Sequence, residues 1–222
     1  MTEVIRIGPY APYVESQSEN FRYDRSLGKM ENEMRYFSGF EFSFEDQFRQ
    51  LAQTFSNTNV LKVFDSGCGE GRSLWDIKDE IGPVIGKEID TTGISMIRKL
   101  IRAARNNEVN TLIVGSLERY ADRIELEPKY HFLLDYHGAM GYIGVEMAIP
   151  IYTRMLIPRA RALLLMSGLG DPEPQHSGEW YSYEEPERLE ALERKAELEK
   201  FLAENNFLVL QAKSVYALLE KQ

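Results

Sequence analysis

The sequence predicts an α/β protein: a doubly wound, mostly parallel sheet of seven strands ending in an antiparallel hairpin, preceded by an N-terminal helical cap. Three observations predict it. From Val60 onward, short apolar runs bounded by turn residues alternate with stretches of helical periodicity, the pattern of a parallel sheet covered on both faces. A glycine-rich segment joins the first of these runs to the first helix. The last two runs are joined by a connection short enough to permit only an antiparallel pair.

The chain of 222 residues suffices for one sizeable core, and its hydrophobic fraction of 43% is that of a globular protein. Basic residues number 26 and acidic ones 35, a net charge of −9. A surface of that sign repels phosphate backbones and anionic lipid, so neither nucleic acid nor membrane is expected as a partner. Cys68 stands alone and can form no internal disulfide. With no signal-peptide pattern in MTEVIRIGPY and no long apolar stretch, the cytoplasm is the expected compartment. Oligomeric state is left open.

Residues 1 to about 25 are rich in Tyr, Pro, Ser and Asn without a clean period and read as irregular. A helical stretch over roughly 27–56 breaks at Ser38-Gly39. Its second piece opens with Ser43 as a cap and Asp46 at the third helical position, with Phe44, Phe48, Leu51 and Phe55 on one face. Residues 1–56 are therefore assigned as a cap or lid and 57–222 as the binding domain. The strands are expected at 60–64, 83–86, 111–114, 131–134, 161–166, 207–211 and 215–219. Between them, Leu74, Ile77 and Ile81 form one helical stripe and Ile94, Ile97, Ile101 and Ala104 another; a third helix runs from Pro186 to Asn205-Asn206.

The segment Asp65-Ser66-Gly67-Cys68-Gly69-Glu70-Gly71 carries the chemistry. Its glycines let the backbone turn sharply and approach a ligand. Arg72 stands where a dinucleotide fingerprint needs its third glycine, which counts against NAD or FAD. A carboxylate at Asp65 would repel a pyrophosphate but suits a ligand carrying an ammonium and a sulfonium. About twenty residues on, after the second strand, comes Gly86-Lys87-Glu88-Ile89-Asp90, in which Glu88 is expected to accept hydrogen bonds from both hydroxyls of a ribose at the sheet's switch point.

Over residues 60–222 these features resemble the class I S-adenosylmethionine (SAM)-dependent methyltransferases. The resemblance implies SAM as cofactor. It places Asp65, Gly67, Cys68 (by its backbone) and Gly69 around the methionine moiety, Glu88 and Ile89 at the ribose, Ser116 and Leu117 beside the adenine, and Asp135 near the sulfonium. It also gives the final hairpin as a hallmark of the fold. The sequence departs from the family at Pro158-Arg159-Ala160, where Pro-Gly-Gly is common.

Asp135-Tyr136-His137-Gly138 lacks the Asp/Asn-Pro-Pro-Tyr motif of enzymes that methylate exocyclic amines of bases or glutamine, so a small-molecule acceptor is expected. His137 can act as a base or orient the acceptor, or sit in its loop bonded to a carbonyl. Tyr136 and Tyr142 can line the pocket or simply pack. Asp171 is followed by Pro172, so no metal is expected. Aromatics at Tyr10, Tyr13, Phe21, Tyr23, Tyr36, Phe37, Phe40 and Phe42, and His176, Trp180, Tyr181 and Tyr183 after the fifth strand, can enclose a ligand or form an ordinary core. Two alternatives to methyl transfer stay open: SAM consumption by cyclisation or elimination of the aminocarboxypropyl arm, and SAM binding without turnover.

Overall fold

The computed structural model describes residues 2–8, 42–123, 127–136, 138–169, 185–213 and 216–222. Its strands are β1 (Glu3–Arg6), β2 (Val60–Asp65), β3 (Glu88–Ser95), β4 (Thr111–Val114), β5 (Tyr130–Asp135), β6 (Leu156–Leu165), β7 (Phe207–Lys213) and β8 (Tyr216–Lys221). They form one sheet in the order β1-β4-β3-β2-β5-β6-β8-β7. The pairs from β1 to β6 are parallel, and β8 runs antiparallel to both β6 and β7. The chain passes from β2 to β3 on one side and returns to β5 on the other. The crevice at the carboxyl ends of β2 and β5 is therefore the switch point at which such sheets take ligands.

Alternation of side chains across the strands divides the core in two. On one face Leu61, Val63, Leu112, Val114, Phe132 and Leu134 meet α1 (Phe44–Thr54), α2 (Arg72–Asp76) with its π-helical continuation Ile77–Ile81, and α4 (Arg98–Asn106). On the other, Phe64, Ile94, Ile113, Leu133, Ala162 and Leu164 meet α5 (Leu117–Arg123), α7 (Val145–Met155) and α8 (Glu185–Glu204). Short turns α3 (Gly82–Ile85) and α6 (Met140–Ile143) complete the helices. The sheet is thus doubly wound and mostly parallel with a C-terminal hairpin, as expected, with eight strands in place of seven.

The extra strand comes from the N-terminus. Residues 3–6, expected to be irregular, pair with β4 in parallel register, Glu3 opposite Thr111 and Arg6 opposite Val114. Four residues are too few to show a period against a polar neighbourhood. The cap of α1 is as expected: the Ser43 hydroxyl accepts from the Asp46 N–H at 3.2 Å. Phe44, Phe48 and Leu51 are wholly buried, and Phe48 lies against Phe132 with ring centroids 5.0 Å apart. Helix α1 and Phe42, which meets Phe44 edge-on at 4.7 Å, are therefore packed against the sheet. The other aromatics assigned to the cap and to the insertion after β6, and the first half of the predicted N-terminal helix, lie outside the described residues.

The predicted strand at 83–86 is a correction. Pro83 sits in the first turn of α3, where its fixed φ favours helix, and Gly86 closes that turn in the left-handed region at φ 69°. The strand is Glu88–Ser95, held by β-branched Thr91 and Thr92. Thr91 donates its hydroxyl to the Asn110 side chain at 2.8 Å and accepts from the Asn110 N–H at 3.0 Å. Ile94 consequently belongs to β3 rather than to the helix, which begins only at Arg98.

Candidate functional site

The site grows from β2. Buried Leu61, Val63 and Phe64 anchor the strand that brings the chain to Asp65, whose Oδ1 accepts the Gly67 N–H two residues on at 3.0 Å. This fold-back bends the backbone into the loop. The Ser66 N–H donates to the Leu134 carbonyl at 2.9 Å, and the Cys68 N–H to the Ile94 carbonyl at 3.2 Å. The loop is therefore laid across the carboxyl ends of three strands, β5, β2 and β3. Gly71, in the left-handed region at φ 71°, starts α2. Arg72 turns back along that helix, 3.1 Å from the buried Asp76 carboxylate and over the Trp75 ring at 4.4 Å.

The three loop glycines serve different ends. A Cβ on Gly67 would stand 2.4 Å from the Cα of Gly138, so Gly67 is required by the turn after β5. A Cβ on Gly71 would strike Val109 at 2.6 Å. At Gly69 (φ 50°) a Cβ would meet nothing nearer than the Gly67 carbonyl at 3.9 Å. Gly69 is the glycine that faces open space. Cys68 is buried, with its sulfur in the position a Cβ on Gly93 would need. Burial pushes its thiol well above the ordinary range, which leaves it unreactive.

Asp65 is the electrostatically exceptional residue. Burial, opposed in part by the Gly67 N–H and reinforced by the Asp135 charge, raises its pKa to about 7. Asp135, at the end of β5, is spent on its own turn. Its Oδ1 accepts the Gly138 N–H and its Oδ2 the Met140 N–H, each at 2.9 Å, and the Tyr152 hydroxyl donates to Oδ2.

The other sequence-predicted residues are only partly brought together. Glu88 and Ile89, expected beside the loop, are placed elsewhere: they open β3, Glu88 opposite Val60, whereas Asp65 lies opposite Gly93. Glu88 is exposed at the amino end of the sheet, and Ile89 is buried among the helices of the α1 face. The residue that closes β3 beside the loop is Ser95. Its hydroxyl accepts the Ile97 N–H at 3.1 Å, and its carbonyl accepts the Gly115 N–H at 3.2 Å. Ser116 follows β4, half-buried at the same end of the sheet, but Leu117 turns into the core and is 1% exposed. Tyr136 is half-buried and stacks on Tyr216 of β8, centroids 6.0 Å apart and 5° from parallel. Tyr142 is 62% exposed. His137 lies outside the described residues.

Three residues were missed from sequence: Ser95, Tyr152 and Tyr216. The Gly93-Ile94-Ser95 run after two threonines was the available sign that β3 ends there. Nothing in their local sequence marks the two tyrosines.

No family model matches the sequence, and no curated protein does. Solved structures do. The CMeT domain of the citrinin polyketide synthase aligns with 88% of this chain at 14% identity and a TM-score of 0.51. A Listeria monocytogenes protein, assigned provisionally as a class I SAM-dependent methyltransferase, aligns with 80% at 12% identity and a TM-score of 0.49. Phosphoethanolamine N-methyltransferase 2 of Haemonchus contortus, in complex with SAM, aligns with 87% at 14% identity and a TM-score of 0.44. The chain spans 57%, 58% and 44% of those three chains respectively, less than two thirds of each. Strand order, reversed terminal hairpin and the superposition on the citrinin synthase domain agree: the chain has the fold of the class I SAM-dependent methyltransferases.

Proposed function

We propose that the chain binds SAM in the crevice between β2 and β5 and transfers its methyl group to a small molecule. The observation that carries this reading is Asp65. A buried carboxylate whose pKa has risen to about 7 gains most from a ligand that brings positive charge to it. The open side of Gly69 is the place where a ligand could approach the backbone without meeting a side chain. A cationic ligand with an extended body fits both, and SAM is the ligand that this fold commonly carries. On this reading Gly67, Cys68 and Gly69 offer their backbone to the methionine end. Ser95 and Ser116 line the path toward ribose and adenine.

SAM supplies a methyl group already activated by its sulfonium. The protein's part is to hold the acceptor in line and to keep water out. Tyr136, at the carboxyl end of β5, is the described aromatic best placed to meet an acceptor, with Tyr216 behind it. Supporting a small acceptor are the net charge of −9 and the lack of an Asp/Asn-Pro-Pro-Tyr motif after β5.

The test is incubation of the full chain with methyl-labelled SAM and a small-molecule extract, against the same mixture without extract. Label transferred only with extract supports the proposal. Loss of SAM without any acceptor replaces it with self-directed SAM chemistry, and saturable binding without turnover replaces it with a non-catalytic SAM-binding role.

A further inference from the structure

Resting on the cofactor site proposed above, we propose that Tyr152 is a positioning residue for it: acting through Asp135, its phenol fixes the turn after β5 against the glycine loop and so sets where Asp65 stands.

Tyr152 lies in the third turn of α7, on the core side, and is wholly buried. A buried phenol needs a partner. This one donates to a carboxylate, Asp135 Oδ2, at the carboxyl end of β5. Asp135 is itself 1% exposed and accepts the N–H groups of Gly138 and Met140. The turn so fixed presses on the loop: the backbones of Gly138 and Gly67 are close enough that neither can carry a Cβ. Gly67 in turn gives its N–H to Asp65. A continuous series of contacts thus runs from α7 to the carboxylate that the ligand would meet.

The groups that face Asp65 are Asp135 from β5, Tyr152 from α7 and Cys68 from the loop itself. Among them Asp135 is the like charge that opposes ionisation of Asp65, and Tyr152 is the side chain that holds that charge in place. Removing only the hydroxyl leaves the ring in the core and withdraws one charge-assisted hydrogen bond from Asp135. The Asp135 carboxylate then keeps only the Gly138 and Met140 N–H groups, so the turn and the charge beside Asp65 are held less firmly.

The experiment is calorimetric titration of the full chain with S-adenosylhomocysteine between pH 6 and pH 8.5, for wild type, Tyr152→Phe and Gly138→Ala. Wild type binds with a pH midpoint set by Asp65. Tyr152→Phe is expected to bind about tenfold more weakly and with its midpoint moved to lower pH, a shift that a mere packing role would not produce. Wild-type affinity and midpoint in Tyr152→Phe would overturn the inference. If that variant does not melt cooperatively, Gly138→Ala decides by the same readout. Its Cβ would stand 2.6 Å from Ser66 Oγ, 2.7 Å from Asp135 Oδ1 and 3.0 Å from the Gly67 N, lifting the same turn from the loop with the Tyr152 hydroxyl retained, and unchanged binding there overturns the inference. Failure of wild type to bind brings down the cofactor reading first, a result seen without any variant.

Discussion

Gly67 and Gly138 meet backbone to backbone across the crevice between β2 and β5, so close that a methyl group on Gly67 would stand 2.4 Å from the Gly138 Cα. The first glycine of the loop is thus demanded by the protein's own turn, before any ligand is considered. Gly67→Ala is expected to destabilise the fold by about 2 kcal/mol or more, the cost of forcing backbone apart in a packed site. Gly69→Ala has room, and its cost is the left-handed backbone alone, about 1 kcal/mol. Thermal melts should rank the two in that order, while ligand titration should show that folded Gly69→Ala has lost affinity. Equal destabilisation would contradict the division of roles.

Asp65→Asn separates stability from binding. A carboxyl with a raised folded pKa binds more protons in the native state than in the unfolded state between about pH 4 and pH 7. Wild-type stability therefore falls across that window as pH rises, and the full cost is present above it. Asparagine keeps the acceptor for Gly67 and removes the cost, so the ligand-free variant should be more stable by about 1–3 kcal/mol at pH 8. The same change should weaken binding of a cationic ligand severely. A variant that is less stable at pH 8 would show that the carboxylate is compensated by a charge not yet identified.

His131 works in the opposite sense. Its Nδ1 accepts the Lys62 N–H at 3.0 Å, taking the place of a ladder carbonyl, and its ring meets Phe55 edge-on. Burial, and then the Lys62 charge, lower its pKa to about 4. Here the unfolded chain binds more protons between about pH 4 and pH 6.5, so this contribution is lost as pH falls through that window. The slopes of His131 and Asp65 oppose one another in wild type. In Asp65→Asn the acid lability of His131 should be unmasked, and His131→Gln should show the reverse slope. Denaturant melts at pH 4.5, 5.5 and 7 read both; parallel pH profiles in all three proteins would refute the assignment.

Glu88→Ala should leave cofactor affinity unchanged, because Glu88 lies at the amino end of β3, opposite Val60 and away from the loop. Ser95→Leu, at the other end of the same strand, should abolish binding with the fold retained. Affinity lost in Glu88→Ala alone would mean that β3 has been placed wrongly.

This strand also shows what the sequence could and could not convey. The loop from Asp65 to Gly71, the capping pair Ser43–Asp46 and the terminal hairpin were legible because each depends on neighbours in sequence. β3 is hard to read because half of its residues are threonines and charges, while the apolar Pro83-Val84-Ile85 beside it imitates a buried strand. Two residues decide that competition: Pro83 favours a first helical turn, and Gly86 ends it. The competition decides where Glu88 falls, at the amino end of the strand and not at its carboxyl end. Ser95, Tyr152 and Tyr216 act through partners far away in sequence, and the three internal donors that Asp135 accepts come from residues three to seventeen positions on. β1 owes its place to pairing with β4, which no local pattern encodes.

The most direct test of the central claim is one calorimetric titration of the intact chain with SAM at pH 8, where Asp65 is ionised. The account predicts saturable binding at a single site in the micromolar range, with a matching rise in melting temperature by mass action. No heat and no thermal shift at millimolar SAM would contradict it and leave the fold without its proposed ligand.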